Sequence, residues 1–412
     1  MKFSSNAGAE VNSLFRSDAI LDVLPKRSRV ESIDLLRGVI IVLMALDHVR
    51  DFFGDAALQP TNLAVTTAPL FFTRWITDIC APVFFMLTGT SAALTLRRMP
   101  RAGLSRFLLT RGLWLIFLEI VVMRFALQFN VDYQTTILTV LWGLGWAMIA
   151  LAGLLWLPNA AIAALGIGMI VGHNLLDGIP ASSLGAFAPV WSILHAPGII
   201  LNQGHHVVLV AYVLVPWVGV TALGYLLGQA YLHDLSWRRS LLLWTGVALS
   251  LGFVLLRLPN VYGDPVPWSP QRSVLWTLMS FLDTNKYPPS LLFLLMTLGP
   301  ALLLLWVFEH GVPALLRPAW IIGKVPLFFY VLHFYLVHLL AVVASGWRYG
   351  EVSDLFHSPD LGHYPFTQPP HWPASLWVIY LLWAAVVLAL YPLCRWYAGV
   401  RSRRSDWWLS YL

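Results

Sequence analysis

Long apolar runs separated by short polar segments occupy most of the chain after residue 32. An α-helix rises about 1.5 Å per residue, so roughly 20 apolar residues cross the ~30 Å hydrocarbon core of a bilayer. The alternation over roughly ten residues that is typical of a membrane β-barrel does not recur here. The pattern predicts ten transmembrane helices, at about 33–53, 69–96, 107–128, 136–157, 159–176, 205–231, 240–257, 288–309, 325–345 and 374–397.

The composition agrees with this pattern. Hydrophobic residues make up 58% of the 412 residues and charged residues only 11%, whereas soluble domains contain roughly 45–50% and 25%. The composition therefore excludes a water-soluble protein. We predict an all-α, polytopic integral membrane protein that has the lipid bilayer as its first partner.

The basic residues predict the orientation of the chain, because Lys and Arg gather on the cytoplasmic side of membrane proteins. An even number of spans places both termini on one side, and most basic residues fall there. They are Arg97, Arg98, Arg101, Arg106, Arg238, Arg239, Arg317, Lys324, Arg395, Arg401, Arg403 and Arg404; the opposite loops hold chiefly Arg272, Lys286 and Arg348. Both termini are thus predicted to be cytoplasmic. The net charge of +6 is interpreted as a topology signal, and no nucleic-acid partner is expected.

Three regions follow from this topology. Residues 1–32 form a cytoplasmic N-terminal tail, 33–397 a transmembrane domain, and 398–412 a basic and aromatic cytoplasmic C-terminal tail. No apolar segment with a cleavage site precedes the first span, so the first helix is expected to remain as an anchor. The two cysteines are predicted to lie in opposite halves of the bilayer, as free thiols. The compact loops favour a bacterial inner membrane.

Ionisable residues within the predicted spans are concentrated in the first three. Each costs roughly 2.5–3.5 kcal/mol on insertion scales, so the group needs partners, a water-filled cavity or a function. The later spans contain few such groups beyond His173, His333 and His338. The early group comprises Asp34, Arg37, Asp47, His48, Arg50, Asp51, Arg74, Asp78, Glu119 and Arg124. We therefore expect the chemistry to lie among the first three spans.

His48 is the candidate general base. Arg37 and His48 are eleven positions apart, which places them on one helix face at a separation of roughly 16 Å. A carboxylate beside an imidazole orients it and raises its basicity, so Asp47 or Asp51 is the expected partner. Structural hydrogen bonding remains the alternative for His48, and an interfacial anchor remains the alternative for Arg37.

The other intramembrane charges have less specific predictions. Arg74 and Asp78, at positions i and i+4, are expected to form an ion pair before Pro82 bends the helix. Arg37, Arg74 and Arg124 are candidates to stabilise developing charge or to guide an anionic substrate. Glu119 and Arg124 are five residues apart and are expected to find partners on other helices.

The remaining histidines are ambiguous at this level. His333 or His338 either packs in the core or faces His48, and a short distance to His48 would favour function. His195, His205 and His206 suggest a metal, but adjacent histidines diverge and no carboxylate is near in sequence. No metal is expected.

Three segments carry a resemblance to a known family. They are SIDLLRG at 32–38, followed by Asp47-His48; DICAPVFFMLTGTS at 78–91; and GKVPLFFYVLH at 323–333. Together they resemble the heparan-α-glucosaminide N-acetyltransferase catalytic-domain family, within a wider group of polytopic membrane acyltransferases. In that group a histidine follows the Arg-Gly pair eleven residues after the arginine, so its catalytic role carries over onto His48.

The resemblance implies transfer of an acyl group, most simply acetyl, from cytoplasmic acyl-CoA (acetyl-CoA) to a sugar, glycan or other small acceptor on the outer side. Arg37, Arg74, Asp78, Arg124 and His333 are the candidate substrate-binding residues. The heparan enzyme places its catalytic histidine in the loop after the first helix, but the corresponding residues 54–68 contain no histidine. The resemblance therefore implies neither heparan as the acceptor nor an acyl-histidine intermediate.

Two other functions remain open. A proton-coupled transporter or flippase would use the same charges as a relay, although transporters commonly carry charges in two related halves. In a noncatalytic scaffold the buried charges would have no role beyond pairing with one another. Homo-oligomer formation is left undecided by the sequence.

Overall fold

The computed structural model describes residues 30–56, 58–96, 98–358, 361, 366–404, 406, 409 and 411. Residues 1–29, most of the predicted N-terminal tail, lie outside the described residues, as do several positions of the C-terminal tail. The described residues are mostly helical, and three short strands form one small sheet. The boundaries of the three predicted regions stay a prediction.

The first part of the chain is helical up to a small sheet. It forms α1 (Glu31–Phe53), α2 (Ala68–Thr77), α3 (Cys80–Leu96), α4 (Arg101–Phe117), a π-helical segment (Leu118–Met123), α5 (Arg124–Gln128), β1 (Thr135–Leu138), α6 (Val140–Leu154) and α7 (Asn159–Gly172). Two 3₁₀ segments (His173–Leu176 and Ala181–Phe187), α8 (Ala188–Leu194), β2 (Gly198–Gln203) and β3 (His206–Val210) follow.

The second part consists of longer helices. They are α9 (Leu214–Ala230), α10 (Leu235–Arg257), α11 (Val274–Leu282), α12 (Leu291–Phe308), α13 (Arg317–Gly323), α14 (Pro326–Tyr349) and α15 (Leu376–Arg403). Short 3₁₀ turns lie at Ala314–Leu316 and Ser353–Phe356.

Six helical segments among the described residues are long and apolar enough to cross a membrane: Ala68–Leu96, Asn159–Leu176, α10, α12, α14 and α15. The shorter apolar helices are α6, Ala181–Leu194, α9 and Ala314–Gly323. A mostly helical integral membrane protein is therefore confirmed. The ten spans and the cytoplasmic position of both termini stay predictions.

Helix α1 lies at the centre of the fold, in contact with α2, α3, α12, α13, α14 and α15. Its apolar residues are buried on several faces, and Leu35, Ile40 and Phe52 have no exposed surface. A helix whose apolar residues are buried on several faces lies inside the protein and not at its surface. The charged residues of α1 must therefore find their partners inside the protein.

The predicted second span, 69–96, is divided into α2 and α3 by a turn at residues 78–79. Pro82 explains the break, because proline has no N–H to bond the carbonyl of the residue four positions earlier and its ring clashes with that carbonyl. That residue is Asp78. The expected bend is thus a break in the helix one turn before the proline.

Two predicted spans begin with strand instead of helix, which corrects the all-α prediction locally. Strand β1 lies where 136–157 was predicted to begin, and β3 lies where 205–231 was predicted to begin. β3 pairs parallel with β1 and antiparallel with β2. The β-branched residues Val207, Val208 and Val210 favour the extended backbone. The apolar content of such a short run does not distinguish strand from helix.

Two glycines bring α1 and α13 into backbone contact. A Cβ atom on Gly38 would lie 1.8 Å from the carbonyl oxygen of Ala319, and one on Gly323 would lie 1.8 Å from the carbonyl oxygen of Asp34. Only glycine fits at either position. The Arg-Gly pair near the start of α1 therefore fixes how the two helices pack.

Candidate active site

A cavity of about 410 Å³ lies beside the last two turns of α1. Its other walls come from parts of α2, α3 and α14, from the loops before α9 and α12, and from single residues of α5, α6, β1 and β3 together with Leu361. The polar and ionisable side chains of these walls include Asp47, His48, Arg50, Asp51, Arg74, Lys286, Tyr212, Tyr287 and Tyr330. The cavity thus gathers charged residues that the sequence distributes over three separate segments.

Two histidines meet at the wall of this cavity. Nδ1 of His48 lies 2.6 Å from Nε2 of His333, and the two ring planes are inclined by 21° with centroids 4.9 Å apart. His48 lines the cavity, whereas His333 lies behind it with no exposed surface. Of the two histidines on α14 that were considered from the sequence, His333 is the one that faces His48.

Hydrogen bonds assign the protons of the pair. Nδ1 of His333 lies 3.1 Å from the carbonyl oxygen of Phe329, which can only accept, so this nitrogen carries the proton. Nε2 of neutral His333 is then an acceptor, and Nδ1–H of His48 donates to it. The lone pair of neutral His48 is consequently on Nε2, on a ring that lines the cavity.

The carboxylates beside His48 bind arginines. Asp47 lies 2.9 Å from Arg50 and 3.0 Å from Arg74, and Asp51 lies 2.7 Å from Arg50. The hydrogen bond that orients His48 is therefore the one that it donates to His333, and not a bond to either neighbouring aspartate. Asp47 instead connects α1 to α2 through Arg74.

The ion pairs continue across the cavity. Arg74 lies 3.1 Å from Asp78, which confirms the expected i, i+4 pair, and Asp78 also lies 3.4 Å from Lys286. With Asp47, Arg50 and Asp51, the cluster contains three acidic and three basic groups. We call this set the ionic cluster. Its formal charges balance, so the attraction between the paired groups offsets the free-energy cost of burying them in an apolar fold.

Lys286 and Tyr212 reach the cavity from loops. Burial lowers the pKa of Lys286, but the surrounding acidic groups outweigh it, so the pKa is raised and the ammonium stays charged. Tyr212 lies beside Tyr287, and the phenol of tyrosine is neutral at ordinary pH, so it can donate a hydrogen bond. The cavity wall therefore offers both a permanent cation and a neutral donor.

Arg37 lies outside the lining of the cavity. The residues of α1 that line it run from Met44 to Phe52. Arg37 lies 3.0 Å from Asp34 and donates to the Ser91 hydroxyl at 2.9 Å. It therefore connects α1 to α3 nearly two turns before the cavity begins.

Arg124 and Glu119 also lie apart from the cavity lining. Arg124 pairs with Asp132 at 2.7 Å and donates to the Ser358 hydroxyl at 2.8 Å. Glu119, in the π-helical segment, accepts from the backbone N–H and the hydroxyl of Thr139 at 2.7 and 2.5 Å. The expectation of partners on another element is confirmed for Glu119.

The other histidines have separate environments. His338 lies 2.9 Å from two backbone carbonyl oxygens, those of Ala126 and Leu355. His195 lies beside His173 and Asp177, whereas Nδ1 of His206 lies 2.9 Å from the carbonyl oxygen of Tyr133. The sequence grouped His195 with His205 and His206, but β2 lies between His195 and that pair, and the neighbours of His195 are instead His173 and Asp177.

Sequence reasoning missed the loop residues of the site. Lys286, Tyr212 and Tyr287 were not selected, and neither was Tyr330 on α14. One signal was present: Lys286 is one of the few basic residues in the predicted outer loops, against the usual charge distribution. The cytoplasmic bias of Lys and Arg does not account for a basic residue in such a loop, so its position there indicates another role.

The fold and this cavity define a helical integral membrane protein with a buried, charge-lined site. Residues 29–256 match the family described as heparan-alpha-glucosaminide N-acetyltransferase, catalytic. The match spans more than half of the chain, so the chain belongs to this family of membrane acetyltransferases, as its motifs predicted. No curated protein matches the chain. His48, Arg74 and Asp78 lie within the matched region, whereas Lys286 and His333 lie beyond it.

Proposed function

We propose that the protein transfers an acetyl group from cytoplasmic acetyl-CoA to a hydroxyl or amine of a small acceptor, such as a sugar, on the outer side of the membrane. The observation that supports this most is the His48–His333 pair at the wall of the 410 Å³ cavity. Family membership supplies the reaction class. The bacterial inner membrane is the proposed location.

In this proposal Nε2 of His48 takes the proton of the acceptor as its oxygen or nitrogen attacks the thioester carbonyl. The new bond to the carbonyl carbon forms, the C–S bond breaks, and the proton passes from His48 to the departing thiolate. Throughout, Nδ1–H of His48 continues to donate to His333. General base catalysis of this kind contributes roughly 10²–10⁴-fold.

The ionic cluster supplies the electrostatic part of the reaction. Negative charge develops on the carbonyl oxygen during attack, and fixed positive groups in a water-poor site stabilise it. Lys286 and Arg74 are the proposed cations, and the Tyr212 hydroxyl is a proposed donor. Asp47 and Asp78 hold these cations in place, and Asp51 holds Arg50. The sequence instead favoured a direct role for Asp47 or Asp51 beside His48.

Arg37 and Arg124 have supporting roles in the same proposal. Arg37 holds α1 against α3 on the side from which we expect acetyl-CoA to arrive, and Arg124 holds the loop around Asp132. Neither residue touches the reacting atoms. Their substitution is expected to reduce stability more than the rate of transfer by folded protein.

The experiment uses purified protein in liposomes, labelled acetyl-CoA and a panel of amino sugars, sugars and polyols. Formation of an acetylated acceptor that depends on the protein supports the proposal. Protein-dependent movement of the acceptor across the liposome membrane, without acetylation, would instead establish a transporter. The His48→Ala variant and the His310→Ala variant, which changes an exposed histidine, are assayed in parallel.

A further inference from the structure

A second cluster of ligating side chains lies outside the cavity, at the end of α7. One ring nitrogen each of His173 and His195 and one carboxylate oxygen of Asp177 all lie within 4.8 Å of one another. Both histidines are 2% exposed, whereas Asp177 is partly exposed. Two imidazoles and one carboxylate, with one side toward solvent, form a donor set that zinc accepts.

His173 is held in the form that binds a metal. Its Nε2 lies 2.8 Å from the carbonyl oxygen of Pro289, which can only accept, so Nε2 carries the proton. Nδ1 then has a free lone pair, and this buried atom has no hydrogen-bond partner among the described residues. A metal-binding histidine typically donates its other N–H to a backbone carbonyl in this way.

The distance between His195 and Asp177 also fits a shared ion. Nε2 of His195 lies 3.4 Å from Oδ1 of Asp177. Charge-assisted hydrogen bonds are about 2.7–2.9 Å long. Two ligands at about 2.05 Å from one tetrahedral zinc are about 3.3 Å apart. Asn174 donates to the other carboxylate oxygen of Asp177 at 2.7 Å, which orients the proposed ligand.

We propose that His173, Asp177 and His195 bind one Zn²⁺ ion, with solvent as the fourth ligand. The site joins the 3₁₀ turn after α7 to the loop before α12, because His173 bonds Pro289 and Asn174 accepts from the backbone N–H of Leu291 at 2.9 Å. Lys286 of the ionic cluster lies in that same loop. The ion would connect the turn after α7 to the end of α8, and its binding does not depend on the proposed acetyl transfer.

The test measures zinc on the full chain, purified in detergent through a tag that contains no histidine. After incubation with Zn²⁺ and removal of free metal, mass spectrometry is expected to find close to one zinc per chain. Co²⁺ in its place is expected to give the visible absorption of a tetrahedral site. Asp177→Asn keeps the side-chain shape and is expected to weaken Zn²⁺ binding roughly 10–100-fold or more.

Matched variants separate this site from others. His173→Ala/His195→Ala is expected to lose the ion, and His310→Ala, which removes an exposed histidine, is expected to keep it. A wild-type protein that retains no zinc and shows no tetrahedral Co²⁺ spectrum overturns the proposal. So does unchanged zinc content in Asp177→Asn and in the double variant. If the double variant does not fold, a wild-type melting temperature unmoved by both Zn²⁺ and a chelator overturns it as well.

Discussion

His48 and His333 are 285 residues apart in sequence, and their rings meet at one wall of the cavity. The arrangement of protons in this pair depends on a backbone carbonyl, because Phe329 fixes the tautomer of His333 and His333 in turn fixes that of His48. In the proposed mechanism His333 is therefore a positioning residue, and His48 is the base at the wall of the cavity.

His333→Ala removes the acceptor for Nδ1–H of His48 and lets the ring turn. Because small misplacements of a catalytic group cost about 10²-fold, kcat is expected to fall by roughly this factor while KM for acetyl-CoA stays unchanged. His333→Gln retains an acceptor oxygen and is expected to recover part of the rate. A rise in KM with normal kcat would assign His333 to substrate binding.

Lys286 is the cation that connects the loop before α12 to the ionic cluster. Its side chain is 10% exposed, and it lies 3.4 Å from Asp78. Lys286→Met leaves the cluster with an excess negative charge, and removing one partner of a buried pair costs about 3–5 kcal/mol. We expect a lower melting temperature and a loss of acetyl transfer. In Lys286→Met/Asp78→Asn the charges balance again, so stability is expected to return further than activity.

At the scale of elements, the contact between α1 and α13 depends on two glycines. A methyl group at Gly38 would lie 1.8 Å from the carbonyl oxygen of Ala319, so the helices have to separate to admit it. Gly38→Ala is expected to lower the melting temperature and the yield of folded protein. Gly153→Ala is the matched control, because no atom of the described part of the chain lies within 4 Å of its added methyl group.

In α6, Gly153→Ala is expected to stabilise the helix slightly, by about 0.5–1 kcal/mol, through the higher helix propensity of alanine. Equal melting temperatures for the two alanine variants would contradict the close packing of α1 on α13. Thermal unfolding of both variants in the same detergent is the measurement.

The segment between α10 and α12 is organised around Arg257, which donates to the backbone carbonyls of Phe281, Val266, Ser280 and Asp283.

Burial raises the pKa of the Asp283 carboxyl to about 7, and the carboxylates of Asp264 and Asp78 act in the same direction. Between pH 4 and 7 the folded protein thus holds a proton that the unfolded chain has released.

This proton makes stability depend on pH. Below pH 4 Asp283 is protonated in both the folded and the unfolded state. As the pH rises from 4 to 7 only the unfolded chain releases this proton, so the free energy of unfolding falls by at most about 4 kcal/mol. Asp283→Asn cannot ionise, so its melting temperature is expected to exceed that of the wild type by an amount that grows from pH 4 to 7 and then stays constant. A difference that shrinks over this range would contradict the raised pKa.

At the scale of the whole molecule, the sequence predicted that the protein lies in a lipid bilayer, and it identified part of the candidate site. Apolar runs located most helices, and the crowding of charges in the first three spans pointed to Asp47, His48 and Arg74, which line the cavity. Local rules also predicted the pair of Arg74 with Asp78, since Asp78 follows α2 directly and lies four positions after Arg74.

The features that were missed depend on contacts between distant segments. The strand at 206–210 forms by pairing with residues 135–138, which no local pattern reveals. Lys286 reaches Asp78 across 208 positions, and His333 reaches His48 across 285. Periodicity places a residue on a face of its own helix, but only packing decides what that face meets.

The central claim is that Nε2 of His48 is the base for acetyl transfer, and the most direct measurement is the rate of transfer by His48→Ala. Purified protein in liposomes is given saturating acetyl-CoA and an accepted substrate, and the rate is compared with that of His310→Ala. We expect His48→Ala to be slower by roughly 10²–10⁴-fold while the folded fraction is unchanged. Equal rates for the two variants would contradict the assignment of His48.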